Sequence, residues 1–419
     1  MSAPNLRGAM VNGALGAAGR PGAPDETCFH GGAFFEAIGD GFESLERRHR
    51  VINADVLDAW FPPAPEVLTA LREHLDWAVR TSPPTHAEGL RRAVARARGV
   101  PEECVVVGAG SSDLIFRAFC AWLTPTSSAL LLDPTYGEYA HVLERVIGCR
   151  VERLPLARAA DYDLSPERLA RALDGARDLA VLVNPNSPTG RHVPAAALAR
   201  ALGAAPPGTR VWVDETYAAY AGAGESLEGL AARSRGIVTC TSMSKVYALS
   251  GMRVAYLVTD PDTARALRRR TPPWPVGLPA QIAAVRALGA ADHYRARWAE
   301  THRLRAALAA GLATLGGIEV VPGVANFLLC HLAGGLPTAA AVVAACRERG
   351  LFLRDAGAMS PSLGARALRV AVKDAATQRR MLAILADALG RPRRPRGSGA
   401  RARAPGGTRR AATPAGPRS

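Results

Sequence analysis

Six short apolar runs constrain this chain more than any other feature. Cys104–Val107, Ala129–Leu132, Ala180–Val183, Val211–Val213, Ile237–Cys240 and Val254–Val258 are continuous, not alternating. A strand that is apolar on both faces is buried on both, which is the setting of a largely parallel sheet covered by helices. Stretches such as Leu114–Leu123 and Pro194–Leu202 can supply the crossover helices. Several runs end directly in polar loops: Gly108–Asp113, Asp133–Tyr136, Asn184–Gly190 and Asp214–Tyr217. Ligands of open α/β sheets sit beyond the carboxyl ends of the strands, so these loops are expected to converge on one site.

Past the proline-rich break Thr271–Pro279 the pattern changes. A long helix is expected over Ala291–Leu315, then strands at Ile318–Val321 and Asn326–His331 and a helix at Thr338–Arg349. Strands at Leu351–Arg354 and Ala367–Val372 and a closing helix at Gln378–Leu389 follow. The fold class is α/β, with a large domain on a mainly parallel sheet and a smaller α+β domain. The 419 residues suffice for two cores. The expected division is a flexible arm over 1–44, a segment joining the small domain over 45–84, a large domain over 85–275 and a small one over 276–390. Residues 391–419 form the remaining tail.

That tail holds nine arginines and no acid, and removing it lowers the formal net charge from +15 to +6. Rich in Pro, Gly and Ala, it has little to bury and is expected to be disordered. With no interleaved aromatics or binding fold, it does not make nucleic acid an expected partner. No apolar run reaches the roughly 20 residues that span a bilayer. The N-terminus lacks the charged start and compact apolar core of a secretory signal. Seven scattered cysteines without a C-x-x-C pair fit reduced thiols in a cytoplasm, with no disulfide frame and no metal site.

The loops carry distinct chemistries. "VVVGAGSSDLIF" opens a helix with glycines and two serines, whose N–H groups and hydroxyls can hold a phosphate against the helix dipole. "DPTYGEY" presents Tyr136 on the same rim, and "VLVNPNSPTG" places Asn186 and Ser187 there. "VWVDETY" sets Asp214 and Tyr217 past a strand, where an aspartate can be a metal ligand, a general base or a partner for a cation. In "TSMSKVYALSGMR", Lys245 lies between Ser242 and Arg253. Of 52 Lys+Arg residues only Lys245 and Lys373 are lysines. Guanidinium stays protonated, whereas an amine can shed its proton and form a Schiff base with an aldehyde. Phosphate clamp, amine, aspartate and aromatic plate together describe a pocket for pyridoxal 5′-phosphate.

In their order these residues resemble the fold-type I pyridoxal-phosphate enzymes of the class I/II aminotransferase family. The branch they are most similar to is that of histidinol-phosphate aminotransferase, and threonine-phosphate decarboxylases share the scaffold. The resemblance spans about residues 50–390. It implies that Lys245 bonds the cofactor aldehyde and carries the substrate proton, that Asp214 pairs with the ring nitrogen, and that Tyr217 reaches the ring oxygen. It implies stacking by Tyr136 and a phosphate grip by Ser111, Ser112, Ser242 and Arg253, with Ser244 as a helper. Arg369 in "RALRVAV" resembles the arginine that grips a substrate carboxylate, and Arg354 in "LFLRDAG" a second arginine near the distal anionic end. Lys373 has no such place and is expected to be solvated.

The substrate implied is a small amino compound, with a 2-oxo acid as acceptor, and the assembly implied is a homodimer. Three departures fall on the substrate side. Ser187 stands where the family carries asparagine before Pro-Thr-Gly, leaving Asn186 or Ser187 as the ring-oxygen contact. "LDAWFPPAP", with Trp60 and Phe61, replaces an Asn-Glu-Asn-Pro segment. No tyrosine stands near "RTSPPTHAEG", where the family's neighbouring subunit donates one.

Overall fold

A seven-stranded sheet organises the chain. The structure, a computed structural model, describes residues 31–390. The expected tail, 391–419, and residues 1–30 of the expected arm lie outside the described residues. A two-residue strand, β1 (Ile52–Asn53), precedes the sheet. The sheet takes β2 (Val105–Gly108), β3 (Ser128–Asp133), β4 (Arg150–Pro155), β5 (Leu179–Val183), β6 (Arg210–Asp214), β7 (Ile237–Ser242) and β8 (Ala255–Val258). Their spatial order is β2-β8-β7-β6-β5-β3-β4. All pairs from β7 to β4 are parallel, and β8 runs antiparallel to both its neighbours.

The continuous apolar runs are explained by two cores, one on each face. Leu131, Val181 and Trp212 pack on one side, whereas Leu130, Leu182 and Val213 pack on the other. With a side-chain period of two, each run feeds both cores. Each such Val or Leu contributes about 1.5–3 kcal/mol by burial. Strand β4 had no apolar signal because it is an edge: Arg150, Glu152 and Arg153 are exposed. Charges there discourage pairing with another chain. The helix expected from Leu114 begins at Ser111 instead, directly after Gly110 at φ +90°.

The second sheet uses β9 (Ile318–Val320), β10 (Phe327–Leu332), β12 (Arg354–Asp355) and β13 (Ala367–Ala371), antiparallel in the order β12-β13-β10-β9. Strand β11 (Leu351–Phe352) leaves it to pair in parallel with β1, Ile52 opposite Leu351. The single strand expected over Leu351–Arg354 is therefore divided between two partners. The β12–β13 register sets Arg354 opposite Arg369. Two helices, Leu278–Gly289 and Ala291–Ala313, replace the one expected over Ala291–Leu315.

Within the described part of the expected arm, Phe34–Ile38 is helical. Gly31 and Gly32, at φ +92° and +99°, bring the chain against Arg354 and Asp55. The Gly32 N–H donates to Asp55 Oδ2 at 3.3 Å. Among the described residues no helix is long and apolar enough to cross a membrane, and no group of His, Cys, Asp or Glu could hold a metal ion.

Candidate active site

The carboxyl ends of β2, β5, β6 and β7 open on one cleft enclosing about 700 Å³, a size suited to a cofactor with its substrate. Ser111, Ser112, Ser242, Ser244 and Arg253 line one end of its wall, and Asp214, Thr216 and Tyr217 line the base. Tyr136, Ser187, Lys245 and Arg369 complete it with the apolar Val56, Leu57 and Val183.

At the first end, the helix Ser111–Trp122 starts without a side-chain cap, so its first N–H groups are free to meet an anion. Arg253, itself left-handed at φ +49°, donates Nη1–H to Ser244 Oγ at 3.4 Å and to the Ser250 carbonyl at 3.1 Å. A Cβ on Gly110 would lie 2.6 Å from Arg253 Nη2, so only glycine lets the guanidinium reach the helix start. Helix N–H groups, four hydroxyls and a guanidinium form a cradle for a phosphate.

Asp214 ends β6 with its carboxylate accepting from Tyr139 Oη at 2.8 Å and from the Thr216 N–H at 2.9 Å. Tyr139 in turn accepts from Trp212 Nε1 at 2.9 Å. Burial raises the pKa of Asp214, against the pull of those hydrogen bonds. A buried carboxylate in this position gains most from a cation placed over it, as a protonated ring nitrogen would be. Above it, Lys245 sits in the one-turn helix Met243–Val246 that follows β7. Its Nζ lies 3.4 Å from Asp58 Oδ1. Burial lowers the lysine's pKa, Asp58 opposes that, and Arg369 and Arg253 add to it. Phosphate cradle, cation-seeking carboxylate and basic amine together fit pyridoxal phosphate.

Tyr217 is buried with its ring edge-on to Phe327 at 5.3 Å, and burial raises its hydroxyl pKa. Tyr136 donates its hydroxyl to Glu138 Oε2 at 2.8 Å, leaving the ring on the cleft wall. Of the two residues before Pro-Thr-Gly, Ser187 faces the cleft. Asn186 is used elsewhere: its Oδ1 accepts from Thr135, and its Nδ2 donates to the Pro134 carbonyl and Thr189 Oγ1. Arg369 is buried; it donates to Ser187 Oγ at 3.2 Å and to the Asp55 carbonyl at 3.0 Å.

Arg354 does not line this cleft. Its Nε lies 2.6 Å from Asp55 Oδ1, each side chain 5% exposed, beside a neighbouring cavity. Lys373 corrects the expectation of a solvated lysine. Packed beneath the cleft, it donates Nζ–H to the Asp58 carbonyl at 3.2 Å, and burial, opposed by Asp58, lowers its pKa to about 8. Trp60 and Phe61 turn away into the core, Trp60 bonding Thr301 Oγ1 at 2.8 Å and Phe61 packing on Tyr294. Sequence reasoning missed Asp55, Asp58, Tyr139 and Thr216. Only Thr216, inside "VWVDETY", had a local signal; the others meet the site across long stretches of chain.

Fold and cleft together define a pyridoxal-phosphate enzyme. Residues 53–389 match the family described as aminotransferase class I and II, and the chain belongs to it. Its cofactor is pyridoxal phosphate. A histidinol-phosphate aminotransferase of Anaeromyxobacter is 33% identical over 84% of this chain and 95% of its own length. The histidinol-phosphate aminotransferase of Sinorhizobium meliloti, solved with pyridoxal-5′-phosphate, superposes at a TM-score of 0.71, with 22% identity over 83% of this chain and 94% of that one. The L-threonine-O-3-phosphate decarboxylase of Porphyromonas gingivalis superposes at 0.70, with 22% identity over 81% and 100%.

Proposed function

We propose that this chain is an aminotransferase acting on an amino acid or a phosphorylated amino compound, with a 2-oxo acid as acceptor, as a cytoplasmic homodimer. The observation that carries the reading is Lys245 held over Asp214 at the carboxyl end of β7, beside the phosphate cradle. When bound, the cofactor supplies an aldehyde that captures amines and a ring that accepts electrons from the adjoining carbon.

The chain's own residues do the rest. Ser111, Ser112, Ser242, Ser244 and Arg253 hold the phosphate. Asp214, fixed by Tyr139 and Thr216, keeps a proton on the ring nitrogen. Tyr217 donates to the ring oxygen, with Ser187 as its neighbour in place of Asn186. Tyr136 covers the ring face. Arg369 grips the substrate carboxylate with its fork and aligns the substrate. Lys245, made less basic by burial, takes the proton from the substrate carbon at Nζ and returns it.

Decarboxylation of a phosphorylated amino acid is the second reading, favoured by the stretch "FLRDAG" followed by "LRVAVKD" and needing the same Lys245 and Asp214. Incubation of the purified enzyme with amino acids separates the two. Conversion to the amine form of the cofactor without carbon dioxide selects amino transfer. Carbon dioxide release with return of the aldehyde form selects decarboxylation. Light scattering tests the dimer, expected at twice 44.0 kDa.

A further inference from the structure

The charges on the substrate side of the cleft say what kind of amino compound fits. Asp58 lies between β1 and the helix Pro65–Ala78. Its Oδ1 meets Lys245 Nζ at 3.4 Å, its Oδ2 accepts from Asn53 Nδ2 at 3.3 Å, and its carbonyl accepts from Lys373. Its side chain is 35% exposed. Asp55, three residues earlier, contrasts with it: it is sealed against Arg354 and receives the Gly32 N–H on its other oxygen.

Three cations on this wall, Arg354, Arg369 and Lys373, face the two carboxylates Asp55 and Asp58, a surplus of one. The carboxylate of an amino acid uses that surplus at Arg369. A phosphate at the far end of the substrate would find no positive charge left for it. Arg354 is matched by Asp55, and burial disfavours the charge on Lys373. Asp58, by contrast, is a reachable carboxylate with a long contact to one amine, so a second amine or a guanidinium can compete for it.

We propose that Asp58 makes the cleft selective for amino acids whose side chain ends in an ammonium or guanidinium group, over those ending in a phosphate. This rests on the amino-transfer reading and narrows it. A charge-assisted hydrogen bond of this kind raises affinity about 10- to 100-fold over a neutral group of the same shape.

The test uses the holoenzyme and three probes: L-arginine, L-citrulline (nearly the same shape without the charge) and O-phospho-L-threonine. Affinities are read by titration of the cofactor absorbance and by calorimetry. Arginine is expected to bind about 10- to 100-fold tighter than citrulline, with phosphothreonine the weakest of the three. Asp58→Asn should bring the arginine-to-citrulline ratio to within about threefold of unity, and Asp58→Glu should restore part of it. Equal affinities in the wild type, a ratio unchanged in Asp58→Asn, or tightest binding of phosphothreonine would overturn the assignment while leaving amino transfer standing. A holoenzyme that responds to none of the three would overturn the amino-transfer reading and this inference together.

Discussion

The cofactor floor and the substrate wall of this cleft are made in different ways. Ser111, Ser112, Asp214, Ser242 and Lys245 each lie at or a few residues past a strand end of the seven-stranded sheet. Their positions follow from the strands, which two cores hold in place. The wall is assembled from pairs far apart in the chain. Lys245 meets Asp58 across 187 residues, Arg369 meets the Asp55 carbonyl across 314, and Lys373 meets the Asp58 carbonyl across 315. A floor set by strand ends can lose a functional group and keep its shape. A wall set by mutual charge cannot lose one partner without stranding the other.

The largest expected effect breaks the floor chemically and leaves it standing. Lys245→Ala should lower turnover by about a thousandfold or more, in line with loss of a proton carrier. Cofactor should still be retained through the phosphate cradle, and the unfolding midpoint should move little. Retained turnover would remove Lys245 from the chemistry.

On the wall the order reverses, and stability suffers first. Asp55→Ala leaves Arg354 buried without its counter-ion and should cost about 3–5 kcal/mol in denaturant unfolding. The double change Asp55→Leu with Arg354→Met should recover most of that loss. If the single and double variants were equally destabilised, the wall would not be a coupled unit.

Gly110→Ala is smaller and sits where floor meets anion. A side chain at φ +90° and 2.6 Å from Arg253 should strain the cradle by about 1–3 kcal/mol. The expected result is cofactor affinity weakened about tenfold or more, measured by equilibrium dialysis.

The smallest effect is a pH dependence. Lys373 has a folded pKa near 8 against 10.5 for a free lysine, so between those values the unfolded chain binds more protons than the native one. Stability should therefore rise with pH across that window. Below pH 8 both states are protonated and the full cost of burying the charge is present. Lys373→Met should abolish the rise, and an unchanged slope would place Lys373 in water.

The floor was legible in the sequence because each of its parts leaves a local mark: an apolar run, then a loop of small or polar residues. The runs gave the buried strands, and even the serines of the helix start could be read. Strand β4 could not, since Arg150, Glu152 and Arg153 carry the pattern of an exposed segment. Nor could the wall. Nothing around Asp58 in "DVLDAWFPPAP" distinguishes it from a surface acid, and Lys373 has no neighbour in sequence that betrays its burial. Asn186 failed differently: its local signal was right, but three hydrogen bonds within its own turn and to Pro134 and Thr135 absorb the side chain.

The Trp212–Tyr139–Asp214 chain gives the protein a built-in optical reporter. Trp212 is fully buried, packed edge-on to Phe119 at 5.1 Å, and its indole N–H is two hydrogen bonds from the carboxylate beneath the cofactor. Shielded from water, its fluorescence responds to the charge of that carboxylate and not to solvent. Emission should therefore change as cofactor loads, and Trp212→Phe should erase that part of the signal while the emission of exposed Trp77 and Trp274 persists.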